Sequence, residues 1–153
     1  METFITFLFE FGRTLGVGAS TFAITFFIMA LQDGVMDETE KRFLRAVYTV
    51  LRIAMTLIAI SLAWQLFTHA GTDFVTYLME WILIIIITLN GTLMTAKIMP
   101  MRVGPSIAGG SWYSLFFVSA LPVVSLPVPV IVLGYLVIIG IFYAILGKAK
   151  VHE

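Results

Sequence analysis

Four ionisable side chains sit where water should be scarce. Glu10, Arg13, Arg52 and Glu80 all fall inside long apolar runs of this 153-residue chain. A charge within a bilayer costs about 2.5–3.5 kcal/mol on insertion scales, so each one demands an opposite charge, a water or a nearby interface. Glu10 and Arg13 are three residues apart, on neighbouring positions of one helix face. Counted at about 1.5 Å per residue, Glu10 and Glu80 share a depth of roughly 9 Å below the outer boundary, with Arg13 slightly deeper. The expectation is an outer-half cluster of Glu10, Arg13 and Glu80. The plainer alternative is a local Glu10–Arg13 pair, with Glu80 reaching the interface alone. In the inner half, Arg52 falls level with Asn90 and with Trp112, Tyr113 and Ser114. That predicts a second polar layer of Arg52, Asn90 and Tyr113. Its alternative is an Arg52 that snorkels inward beside Arg45 and an Asn90 that bonds a neighbouring backbone.

Neither layer has the make-up of a catalytic constellation, because a carboxylate and an arginine in a membrane are more often a structural pair than a proton relay. Haem held between two histidines needs both inside the bundle, and His69 and His152 fall outside the apolar runs. There is no cysteine, which excludes disulfides, iron–sulfur ligation and thiol catalysis within the chain. His69 lies near Asp73 and could touch a surface metal, but a lone histidine is a weak ligand set. No zinc, phosphate-loop or hydrolase motif is present. The reading is therefore no catalytic residue, no metal and no cofactor. The net charge of zero leaves no nucleic-acid footprint.

The elements that must position these groups follow from composition. The chain is 60% hydrophobic and 12% charged, with a mean hydropathy of +1.04. A soluble domain is nearer half apolar and a quarter charged. In lipid, backbone groups are satisfied within helices or closed barrels, and these runs have helical length. The expected architecture is an all-α membrane protein, one transmembrane helical domain over 1–153, built as a bundle of five transmembrane helices. The spans are 4–31, 37–68, 74–99, 106–121 and 130–146. No Lys or Arg precedes the first apolar run, and that run outlasts the short apolar region of a signal peptide, so it is read as a retained span. Gln32, Asp33 and Gly34 signal a turn, and Asp37 with Glu40 three residues later has capping-box spacing. The segment 101–110 reads as a loop leading into the fourth helix.

Pro122, Pro127 and Pro129 fall within eight positions, so one straight helix through them is unlikely on steric grounds. They make either a turn between two spans or, in a four-span alternative, a kink in the last. Charge favours the turn. With five spans, Lys41, Arg42, Arg45, Lys97, Arg102, Lys148 and Lys150 share one side, and the termini and loops of the other side hold no basic residue. Basic residues collect on the cytoplasmic side. The expected location is a cell (inner) membrane, with the N-terminus outside and the C-terminus cytoplasmic. Trp64 and Trp81 read as outer-interface anchors.

Helices in lipid associate through small residues that permit close approach. Gly12, Gly16 and Ser20 form such a stripe at spacing four, and it should sit against another helix. Weaker stripes are Thr88, Thr92 and Ala96; Ser106, Gly110 and Ser114; and Gly140 with Ala144. Each serves packing within one bundle or a self-association surface.

Three stretches carry a resemblance: Leu15-Gly16-Val17-Gly18-Ala19-Ser20-Thr21 followed by Leu31-Gln32-Asp33-Gly34, then Leu89-Asn90-Gly91, then Gly110-Ser111-Trp112-Tyr113-Ser114. In this order the chain resembles small multi-pass bacterial membrane proteins loosely similar to cytochrome-b-like or copper-resistance-type membrane domains. The membrane histidines expected of such relatives are matched here by Phe, Met or Thr, so no haem or copper ligand is carried over. The functional expectation is a non-enzymatic subunit or homo-oligomeric component of a membrane assembly, whose partners are the lipid bilayer and other copies or membrane subunits. The alternatives are a small ion or solute channel or transporter, with the buried charges lining a path, or a redox or quinone-binding membrane protein.

Overall fold

The computed structural model describes residues 2–33, 37–68, 74–100, 102–120 and 127–148. Within them the chain is all-helical: α1 Glu2–Asp33, α2 Glu38–Thr68, α3 Phe74–Thr95, α4 Val103–Ala120 and α5 Val128–Lys148. Four of the five, α1, α2, α3 and α5, are long and apolar enough to cross a membrane. The stretch 121–126, with Pro122, and the link 69–73, with His69, lie outside the described residues.

Local chemistry sets the helix ends. The Glu40 amide donates to Asp37 Oδ1 at 2.7 Å, and the Asp37 amide donates to Glu40 Oε2 at 2.9 Å, a reciprocal capping box that starts α2. α3 stops at Thr95, four residues before the expected Met99. The Ile98 amide donates to Leu93 O and the Lys97 amide to Met94 O, both at 3.0 Å, with Lys97 in the left-handed region at φ 57°. This is a Schellman closure. α4 begins at Val103 rather than at 106, so part of the expected loop is helix. Pro105 sits in its first turn, where a missing N–H removes no helical bond. For the same reason Pro129 is accommodated in the first turn of α5, which starts where Val130 donates to Pro127 O at 2.8 Å.

Neighbouring helices run antiparallel in an up-and-down arrangement. Gly12 faces Ala54 and Ile58, Glu80 meets Ser119, Asn90 meets Gly104, and Gly110 meets Ile139. α1 packs along α2, and α4 touches α1, α3 and α5. The main core gathers Phe9, Ala54, Ile58, Leu62, Leu83, Ile84, Ile87, Trp112, Leu115 and Val118 from α1 to α4. Ten of the eighteen α4 residues are buried, six of them glycine or serine. Its weaker apolar character therefore reflects protein neighbours on most sides. Small residues admit those neighbours: a Cβ added at Gly16 would lie 2.0 Å from the Trp112 ring, and one at Gly110 would lie 3.2 Å from Ile139 Cα. Serine and threonine hydroxyls turn back to the carbonyl four residues earlier, as Thr49, Thr56, Ser61, Thr92 and Ser106 do. Those hydroxyls need no water.

Of the aromatic residues on α1, Phe4, Phe7, Phe11 and Phe22 point outward, while Phe9 and Phe27 are buried. Trp64 is exposed, and Trp81 packs edge-on against Tyr77 with ring centroids 6.4 Å apart.

Candidate functional site

The polar cluster forms at the end of the bundle where α1 and α3 begin and α4 finishes. Glu10 and Arg13 are three residues apart on α1, and Arg13 Nη2 donates to Glu10 Oε2. The Glu10 side chain is 45% exposed, whereas the Arg13 residue is 8% exposed. The Arg13 guanidinium carbon lies 5.2 Å from the centre of the Phe116 ring on α4, a cation–π distance. Three residues further along α4, Ser119 Oγ lies 2.9 Å from Glu80 Oε1 and 3.0 Å from Leu115 O. Glu80 is 2% exposed. A hydroxyl carries one proton, so it is shared between the two acceptors when Glu80 is ionised. Both contacts are met in full when the carboxyl itself donates to Ser119.

Arg13 and Glu10 lie within electrostatic reach of Glu80, yet among the described residues Arg13 makes its ion pair with Glu10 alone. The structure thus brings Glu10, Arg13 and Glu80 into one region, with α4 as the bridge: Phe116 holds the arginine and Ser119 holds the carboxyl. Arg13 Nε and Nη1 are buried without a hydrogen-bond partner. Two unmet donors beside the Glu10 carboxylate, with Glu80 in electrostatic reach, make a strongly polar spot that a water or a shifted carboxylate can satisfy. Phe116 and Ser119 are absent from the sequence reading. Their only signal was a place near the outer end of the fourth helix, which ranks no residue above its neighbours.

The second expected layer is a correction. Arg52 is exposed on α2, Asn90 is buried, and Tyr113 faces a different helix. Asn90 Nδ2 donates to Gly104 O of α4 at 2.8 Å, leaving its Oδ1 without a partner. The Tyr113 hydroxyl lies 2.8 Å from Thr21 Oγ1, and its ring stands 5.2 Å from that of Phe142. Arg52 misses the layer by rotation. It precedes the fully buried Ala54 by two residues, about 200° around the helix, and so faces away from the bundle. A depth argument sees the height of a residue but not its azimuth.

Gly12, Gly16 and Ser20 are all buried, Gly12 against α2 and Gly16 against Trp112 of α4. A void of about 30 Å³ opens nearby among Ser20, Ile24, Tyr48, Met94 and Trp112, room for about one water. Among the described residues no group of three or more histidine or acidic side chains is placed to hold a metal ion. No protein-family model, curated protein or solved structure matches the chain.

Proposed function

We propose that the chain is a five-span component of a membrane assembly, N-terminus outside and C-terminus cytoplasmic, that pairs with a second copy through α5. The span count rests on α4, which runs antiparallel beside α3 from the level of Asn90 to that of Glu80. Its 18 residues reach about 27 Å, close to a hydrocarbon thickness of about 30 Å. The observation that carries the pairing is the division of α5 into two faces. Ile131, Tyr135, Ile139, Phe142 and Leu146 are at least partly buried, while Gly140, Ala144 and Gly147 are exposed. A Cβ at Gly140 or Gly147 would meet nothing within 4 Å. An outward groove of small residues is filled better by another helix than by mobile lipid tails, and an uncharged stripe is complementary to its own copy across a two-fold axis.

The absence of cysteine makes the test clean. Ala144→Cys in native membranes should form disulfide dimers far more readily than Phe7→Cys, and adding Gly140→Leu should abolish them. Equal cross-linking at both positions would sink the pairing. Impermeant labelling of cysteines at the two termini should place them on opposite sides.

One observation favours a second reading, proton or ion passage: buried Glu80 next to an arginine with unmet donors. Liposome flux that disappears in Glu80→Gln would support it. Equal flux in parent and variant, or none in either, would count against it.

A further inference from the structure

On the outward face of α2 lies a line of cations that make no ion pair among the described residues. Arg42, Arg45 and Arg52 are all exposed, with Thr49 between them on the same side and Tyr48 at the edge of that face, where it also lines the void against α1 and α4. Among the described residues no carboxylate comes within ion-pair distance of any of the three. The acids at the start of α2 are committed elsewhere: Asp37 and Glu40 to the capping box, Glu38 to Lys41 at 2.8 Å. Glu38 lies within electrostatic reach of Arg45, no closer. Thr49 and Thr56 donate their hydroxyl protons to Arg45 O and Arg52 O, and a neutral hydroxyl oxygen carries no charge to balance a guanidinium.

A solvated surface does not explain Arg52. α2 has 31 residues, about 46 Å, and so outruns a hydrocarbon layer of about 30 Å. Counting back about 30 Å from Thr68 places the inner boundary near Tyr48, with Arg52 roughly 6 Å inside it. Side chains lean toward the N-terminus of their helix, here the inner side, and an arginine stem can lift its head that far. Arg52 then arrives beside Arg45, about two turns away, at headgroup level. At the depth where Arg52 leaves its helix, a second copy offers no acidic side chain. Of the nine acidic residues, Glu10 and Glu80 alone lie deep inside the spans, and both belong to the opposite half of the bundle; Asp37, Glu38 and Glu40 sit at the start of α2, held by its cap and by Lys41.

We infer that Arg45 and Arg52, flanked by Tyr48, form a binding site for the phosphate of an anionic phospholipid in the inner leaflet. Guanidinium forks match phosphate oxygens in paired hydrogen bonds, and a phosphate drawn to this height relieves the exposed charge. The site rests on the five-span reading only for the choice of leaflet, which impermeant labelling of Glu38→Cys tests separately.

The experiment is native mass spectrometry of the detergent-solubilised full chain titrated with phosphatidylglycerol, with phosphatidylcholine as the neutral comparison. Phosphatidylglycerol should be retained preferentially. Arg45→Gln or Arg52→Gln should each weaken it roughly fivefold, and the pair roughly 25-fold. Arg52→Lys should fall between parent and Arg52→Gln, because it keeps the charge and loses the fork. Excess inorganic phosphate should not compete, since the acyl chains hold the lipid at this depth. Arg102→Gln, exposed and outside the line, should change nothing. The inference is overturned if Arg102→Gln weakens binding as much as Arg52→Gln, which is diffuse surface charge. Full competition by inorganic phosphate, or unaltered lipid binding in the double variant, overturns it equally. All these side chains are exposed, so the variants retain the fold, checked by circular dichroism.

Discussion

α1 and α5 carry small-residue stripes of similar spacing and opposite fate. Gly12, Gly16 and Ser20 are covered, with the Trp112 ring pressed where a Gly16 side chain would stand. Gly140, Ala144 and Gly147 are exposed, and a Cβ at Gly140 or Gly147 would meet nothing of this chain within 4 Å. Spacing permits close approach, but an approach needs something large on the other side. α4 supplies a tryptophan to α1 and turns Gly110 toward α5, whose own contacting face is built from large residues such as Ile139 and Phe142. The glycine is thus on α4 at that interface, and the small stripe of α5 is left facing away from the bundle.

Three substitutions sharpen or break this contrast, each read as a change in unfolding free energy by SDS titration in mixed micelles. Trp112→Ala should be the largest, a loss of about 3 kcal/mol. That is the low end for a buried tryptophan in a soluble core, since lipid tails are as apolar as leucine and chiefly packing is lost. Gly16→Ala should cost roughly 2 kcal/mol, because a methyl at 2.0 Å from the indole forces ring or helix to shift. If Gly16→Ala proved neutral, the covered stripe would not be a close contact at all. Gly140→Ala should have the opposite sign and the smallest size, a gain of about 0.5–1 kcal/mol in the monomer from helix propensity, with no neighbour to clash. A loss there in the monomer would mean that α5 is covered from within the same chain.

The two polar regions make a similar point. Glu10 and Arg13 pair across one turn of a single helix, a relation that any three-residue spacing on a helix displays. Glu80 joins their neighbourhood because its height matches theirs and because it turns to Ser119 on the helix between. Arg52, Asn90 and Tyr113 match in height by residue count, but Asn90 meets Gly104, nine residues along α4 from Tyr113. In direction, Arg52 faces outward, Asn90 turns to α4 and Tyr113 to α1. Height follows from counting residues at a constant rise, whereas direction around a helix depends on which side its neighbours occupy.

What local chemistry controls was readable before any coordinates. The capping box of Asp37 and Glu40, the apolar runs, and helices that end short of Pro100 and resume near Pro105 and Pro129 each depend on a few consecutive residues and a hydrogen bond or its absence. Packing order was not readable. That α4 lies at the centre, that Trp112 fills the α1 stripe and that α5 is left at the edge depend on helix rotations. Those rotations are decided by side chains far apart in sequence competing for the same contact surface, with little hydrophobic bias to rank the choices once every face is apolar.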